Sequence, residues 1–89
     1  MPSAELTIAN KLGLHARAAA KLTQLASRFA AEVWLTRNGR RVNAKSIMGV
    51  MMLAAGKGAS VTVEADGLDA HEAVAAIREL VAGRFGEGE

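Results

Sequence analysis

His15 and Arg17 are the residues of this sequence whose types and spacing best fit covalent chemistry. They stand where the turn Leu12-Gly13-Leu14 gives way to alanine and leucine at helical spacing. The first N–H groups of a helix have no internal partner, and with the helix dipole they form a site suited to an anion. The guanidinium adds paired donors for phosphate oxygens, and the positive field favours a neutral, nucleophilic imidazole. The spacing alone also fits a solvated surface histidine beside an ordinary helix charge.

A short apolar helix is predicted from Ser46 to Leu53, and it holds every methionine of the chain except Met1. At about 100° per residue, Val50 and Leu53 share one side of this helix. The opposite side carries four apolar residues, Ile47, Met48, Met51 and Met52. A helix this short cannot bury its whole circumference, so these residues are candidates for an exposed docking surface. Burial in the core is the alternative, and both interpretations stay open at this point.

Ser46 is the expected N-cap of the same helix, because a serine hydroxyl accepts a hydrogen bond from an early helical N–H. Gly49 stands three residues further on, so there is no capping box. A plain cap is the simplest role for this serine. The functional interpretation is phosphorylation, which would add about two negative charges at the helix start and change which partners can dock.

The composition is that of one small domain covering residues 1–89, with 51% apolar residues and a net charge of +2. There is no cysteine, so thiolate metal sites and disulfides are excluded, and two histidines make a poor zinc set. Neither a signal-peptide pattern nor an apolar run long enough to cross a bilayer is found. We expect a cytoplasmic protein with no metal, no cofactor and no membrane insertion.

The hydrophobic pattern predicts four strands and three helices. In chain order the predicted elements are a strand at 5–8, a helix at 16–29, a strand at 32–37, a strand at 40–43 after the Asn38-Gly39 turn, a helix at 46–53, a strand at 61–65 and a helix from Asp69. Asp69 and Glu72 have the spacing of a capping box, and residues 83–89 are expected to fray. The order β-α-β-β-α-β-α predicts an α+β fold, in which one face of an antiparallel sheet is covered by helices.

Two segments, "GLHARAAAKL" and "VNAKSIMGVMMLAAGKG", resemble the HPr family, the histidine-containing phosphocarrier proteins of the bacterial phosphotransferase system. The resemblance extends from the first strand to the last helix, and it implies an open-faced β-sandwich of four antiparallel strands and three helices. It further implies that Enzyme I, charged by phosphoenolpyruvate, phosphorylates His15 on Nδ1 with the help of Arg17. The phosphoryl group then passes to a histidine of a IIA protein, so the chain is a carrier in sugar transport and not an enzyme.

The same resemblance implies roles for the methionine-rich helix. Ile47, Met48 and Met51, with Met52 beside them, would belong to the surface that docks Enzyme I and IIA proteins. Ser46 would be the target of the ATP-dependent HPr kinase/phosphorylase, and its phosphorylation would impede transfer through His15. A monomer is expected.

Two alternatives remain beside the sugar-transport role. Ala18 occupies a position where many family members have proline, and versions with alanine resemble those of proteobacteria, some of which serve a nitrogen-related regulatory branch. A nucleic-acid-binding domain is the alternative from another class, because residues 37–45 form a basic predicted hairpin. The aromatic platform on which such domains stack bases is missing, so no nucleic-acid partner is expected.

Overall fold

The computed structural model describes residues 1–87, whose backbone forms four strands, three helices and a final 3-10 turn. In chain order these elements are β1 (Ser3–Thr7), α1 (Ala16–Ala26), β2 (Glu32–Arg37), β3 (Arg40–Asn43), α2 (Ile47–Met52), β4 (Ser60–Asp66), α3 (Ala70–Ala82) and the turn Arg84–Gly86. The predicted element order is confirmed, and β2 and β3 have the predicted bounds. β1 begins at Ser3 rather than at the predicted Glu5.

The strands form one antiparallel sheet in the order β1-β4-β2-β3. Asn38 and Gly39 join β2 to β3, and their φ angles of 52° and 79° allow the tight hairpin turn predicted for this pair. Along β2, Val33 and Leu35 are buried, while Trp34 lies half-buried on the other face. The predicted fold class, an α+β open-faced β-sandwich, is confirmed.

The core lies between the sheet and the helices and is mainly aliphatic. α3 packs on β1, β4 and β2, and α1 packs on α2 and α3. The buried positions of α1 are Ala18, Ala19, Leu22, Thr23 and Ala26. Leu25 and Phe29 continue the same three- and four-residue spacing, but both are only half-buried at the edge of the core.

The predicted capping box at the start of α3 is wrong. Asp69 does precede the helix, but its side chain makes no cap hydrogen bond. Its two carboxylate oxygens instead accept hydrogen bonds from the N–H groups of Ala30 and Ala31, at 2.8 Å each, and these bonds lower the pKa of Asp69. The same contact holds the chain leaving α1, which ends at Ala26 and not at the predicted Phe29.

The prediction of a frayed tail is wrong over residues 83–87, and residues 88 and 89 lie outside the described part of the chain. Phe85 is only 1% exposed and continues the buried stripe of Ile77 and Val81 beyond the end of α3. The ammonium of Lys21 in α1 donates a hydrogen bond to the Phe85 carbonyl at 2.6 Å. We call residues 84–87 the C-terminal segment, which is therefore docked against the start of α1.

Candidate functional site

His15 is the N-cap of α1 and has extended backbone angles. Its Nδ1 accepts a hydrogen bond from the Arg17 N–H at 3.3 Å, and its carbonyl accepts one from the Ala19 N–H at 2.8 Å. The N–H groups of residues 16–18 therefore precede the helical hydrogen-bond ladder and lie at the positive end of the helix dipole. A ring nitrogen that accepts a hydrogen bond carries a lone pair, so this contact places a lone pair on Nδ1.

The turn before His15 is fixed by close backbone contacts. Gly13 has a φ of +67°, and a Cβ at this position would lie 2.4 Å from the Ala55 carbonyl oxygen, so no other residue fits. The same carbonyl accepts the Leu14 N–H at 2.9 Å. Asn10 is fully buried, and its Nδ2 donates to the Gly13 carbonyl at 2.8 Å. These contacts tie the turn to the chain that follows α2.

Glu87 of the C-terminal segment faces the other nitrogen of the His15 ring. The distance between Nε2 and the carboxylate Oε2 is 2.7 Å, and the second carboxylate oxygen accepts a hydrogen bond from Asn10 Nδ2 at 3.1 Å. These contacts, that with His15 above all, hold the pKa of Glu87 below its ordinary value. An ionised carboxylate only accepts hydrogen bonds, so Nε2 must carry the proton. The network thus assigns the tautomer with Nε2–H and a lone pair on Nδ1.

A surface cleft of about 660 Å³ lies over this ring. Besides His15 and Glu87, its walls include the basic side chains of Lys11, Arg17 and Lys21. Arg17 is exposed, so its guanidinium can meet an incoming anion. The cleft combines a nucleophilic nitrogen, helix N–H groups and an excess of positive charge, which is the chemistry needed to accept a phosphoryl group.

The second group of predicted residues lies on α2, outside this cleft. Ser46 is the N-cap, as predicted, and its Oγ accepts a hydrogen bond from the Gly49 N–H at 3.1 Å. The helix buries Val50 against the core. Its other side is exposed, with fractions of 44%, 74%, 41% and 57% for Ile47, Met48, Met51 and Met52, respectively. We call these four residues the apolar α2 face; of the two interpretations left open by the sequence, exposure and burial in the core, the structure shows exposure.

Two members of the His15 network, Asn10 and Glu87, are not predicted from the sequence. Asn10 lies in a turn and has no periodic neighbour that marks it as buried. Glu87 lies in the glycine-rich tail that was expected to fray. The available signal was Phe85, which follows Ile77 and Val81 at four-residue spacing and could have indicated that the tail returns to the core.

Comparison with known proteins now identifies the family. The family model described as "PTS HPr component phosphorylation site" matches residues 2–83. The chain is 66% identical to phosphocarrier protein HPr of Cupriavidus necator over 85 residues, which cover 96% of both chains. It is 60% identical to the HPr of Neisseria meningitidis over 84 residues, which cover 94% of both chains. The chain therefore belongs to the HPr family and is a phosphocarrier of the phosphotransferase system, with the sugar-transport role that follows from this membership.

Solved structures show the same relationship. The crystal structure of HPr-C-His from Thermoanaerobacter tengcongensis superposes with a TM-score of 0.95 at 44% identity and covers 98% of both chains. An HPr from Bacillus anthracis gives a TM-score of 0.87 at 42% identity, covering 90% of this chain and 95% of that one. Within residues 1–87, no helix is long and apolar enough to cross a membrane.

Proposed function

We propose that His15 accepts a phosphoryl group on Nδ1 from phosphorylated Enzyme I and passes it to a histidine of a IIA protein. The observation that carries this proposal is the pair of contacts made by the two ring nitrogens, from which the tautomer is inferred. Nδ1 has its lone pair at the N-terminus of α1, while the proton stays on Nε2, opposite Glu87 at 2.7 Å. A ring held this way is ready for attack through Nδ1 without a prior proton transfer.

The geometry supports a simple transfer step. The Nδ1 lone pair forms a bond to phosphorus while the bond from phosphorus to the donor breaks, and the donor keeps that electron pair. N–H groups at residues 16–18 and the Arg17 guanidinium then donate to the phosphoryl oxygens. Ala18 retains an N–H that proline would lack. The helix dipole contributes only about 0.3–1 kcal/mol, which suits a carrier that must release the group again.

The proposal assigns partner docking to the apolar α2 face. These side chains are exposed on a helix whose opposite side is anchored in the core. Flexible methionine side chains can adapt to Enzyme I, to IIA proteins and to the HPr kinase/phosphorylase. Ser46 lies at the start of the same helix, so a phosphoryl group there would bring negative charge beside this face and hinder docking.

The remaining parts of the proposal are a single-domain monomer in the cytoplasm that works without a metal, a cofactor or nucleic acid. The arginines of the basic hairpin make contacts within the domain, which favours a phosphocarrier over a nucleic-acid-binding domain. Arg37 donates to the Leu53 carbonyl at 3.0 Å, and Arg40 donates to the Met52 carbonyl at 3.3 Å. The guanidinium of Arg41 lies 4.1 Å from the centre of the Trp34 ring and covers the side chain that would stack on a base.

The test is transfer of labelled phosphate from phosphoenolpyruvate through Enzyme I to this chain and on to a IIA protein. His15→Ala should abolish labelling while circular dichroism shows a folded domain. His71→Ala is the matched control, because His71 is exposed at the start of α3, and it should label like the parent. An acid-labile, base-stable label retained by His15→Ala would refute the assignment.

A further inference from the structure

We propose that Glu87 is a positioning residue for His15: its carboxylate sets the tautomer of the ring and stabilises the positive charge that the ring gains when Nδ1 is phosphorylated. This inference rests on the proposed function, since it assigns a role in the same transfer step. It is carried by the position of the carboxylate, which lies 2.7 Å from Nε2 although 72 residues separate the two positions.

The Glu87 carboxylate is held in place because the C-terminal segment that carries it packs against the core. Phe85, which is 1% exposed, anchors the C-terminal segment in the core. Lys21 holds the Phe85 carbonyl at 2.6 Å. The side chain of Glu87 itself is only 15% exposed, compared with 27% for that of His15. A contact fixed by a core aromatic residue and a helix lysine loses little entropy when it forms.

Asn10 fixes which oxygen of the Glu87 carboxylate faces the His15 ring. Its Nδ2 has two hydrogens, and they are directed to the Gly13 carbonyl at 2.8 Å and to Glu87 Oε1 at 3.1 Å. One carboxylate oxygen therefore faces a donor on the buried side, and the other faces Nε2. Only a group that accepts hydrogen bonds on both sides satisfies this arrangement while leaving the proton on Nε2.

Charge balance in the transfer step gives the carboxylate its second effect. When the Nδ1 lone pair forms the bond to phosphorus, the ring still carries its Nε2 proton and becomes cationic. Among residues 1–87, the other charged side chains that line the cleft, Lys11, Arg17 and Lys21, are basic and cannot stabilise a cationic ring. Glu87 is the acidic side chain that contacts the ring within the described residues, and it stabilises the ring as the aspartate of a serine-protease triad stabilises its imidazolium.

Glu87→Gln provides the sharpest test, because an amide is not an equivalent acceptor. Its oxygen would face the Asn10 donor, and its NH₂ group would then face Nε2. The ring could satisfy that donor only by moving its proton to Nδ1, which removes the nucleophilic lone pair. Glu87→Ala merely removes the partner, so it should impair the ring less than Glu87→Gln does.

The experiment records ¹⁵N chemical shifts of the His15 ring at a pH where the ring is neutral, together with the rate of phosphoryl transfer from Enzyme I. The parent should show Nε2–H, and Glu87→Gln should shift the population toward Nδ1–H and slow transfer by at least roughly tenfold. Glu79→Gln, an exposed glutamate of α3, is the control and should behave as the parent. Unchanged shifts and rates in Glu87→Gln would overturn the inference. The shifts are measured without Enzyme I, so failure of the parent to be phosphorylated would count against the proposed function alone.

Discussion

The His15 network and the apolar α2 face are built in opposite ways. The network is polar and partly buried, and it joins residues 10 and 15, in the connection between β1 and α1, to residue 87, which follows α3. The α2 face is apolar and exposed, and all four of its residues lie within positions 47–52 of one short helix. Chemistry at a single atom needs fixed geometry, which long-range packing supplies. The proposed docking to several partners needs an adaptable surface, which a local helix can supply.

The C-terminal segment contacts His15 but is not part of the apolar α2 face, so we expect its loss to affect the His15 network and not the proposed docking. Phe85→Ala should lower the free energy of unfolding by about 3–5 kcal/mol, because it empties a buried aromatic site. It should also weaken the contact between Glu87 and His15, whereas docking through α2 should persist in the folded fraction. Urea unfolding measures the stability change, and Phe85→Leu is the matched variant that should lose less. A loss below about 1 kcal/mol would show that the segment is not docked.

A charge at Ser46 tests whether the two regions act together. Ser46→Asp places a negative charge at the start of α2 and should slow phosphoryl transfer from Enzyme I on the order of tenfold, because like charges at an interface are unfavourable. Stopped-flow transfer rates measure the effect. Ser46→Asn retains an N-cap without the charge and should transfer at nearly the parental rate. Equal rates for both variants would reduce Ser46 to a structural cap.

Met48 tests the docking surface alone. Met48 is 74% exposed, so Met48→Ala should leave the melting temperature unchanged. It should weaken binding to Enzyme I by about 1–2 kcal/mol, or roughly five- to thirtyfold, which calorimetry can measure. Leu68 is an exposed apolar residue that lies outside α2, in the loop before α3, and Leu68→Ala should not affect binding. A clear loss of stability in Met48→Ala would contradict the assignment of this side chain to a free surface.

Asp69 makes a long-range polar contact outside both the His15 network and the apolar α2 face. Of the substitutions considered, replacement of Asp69 should change the measured properties least. The N–H groups of Ala30 and Ala31 lower the pKa of Asp69 in the folded protein. The ionised carboxylate therefore adds to the free energy of unfolding above the ordinary pKa of 3.8, and this contribution is lost as the pH falls through the lower pKa of the folded state. Asp69→Asn should therefore be less stable than the parent at pH 7, and the difference should shrink below pH 3.8. Thermal unfolding across this pH range measures the effect. A difference that does not depend on pH would mean that the carboxylate charge plays no part.

The sequence was most informative where structure is local. The bounds of β2 and β3 and the Asn38-Gly39 turn follow from spacing within a few residues, and the same spacing places the four residues of the apolar α2 face on one side of the helix without deciding that they are exposed. The position of His15 at the start of α1 was also predicted, because a turn followed by helical periodicity marks an N-terminus.

What the sequence did not predict depends on partners far along the chain. Asp69 matched a local capping pattern, but its carboxylate instead accepts hydrogen bonds from the N–H groups of residues 30 and 31, far away along the chain. The tail matched the composition of a frayed end, but burial of Phe85 outweighs the flexibility of its glycines. Glu87 therefore stayed outside the predicted site, because its role depends on where Phe85 docks and not on its own neighbours in sequence.

The most direct measurement of the central claim is the identity of the modified nitrogen in the phosphorylated protein. Phosphorus–nitrogen coupling and ¹⁵N shifts distinguish Nδ1 from Nε2 after phosphorylation by Enzyme I and phosphoenolpyruvate. The structure predicts phosphorus on Nδ1 of His15, with the proton retained on Nε2 opposite Glu87. Phosphorus on Nε2, or on any residue other than His15, would contradict the account.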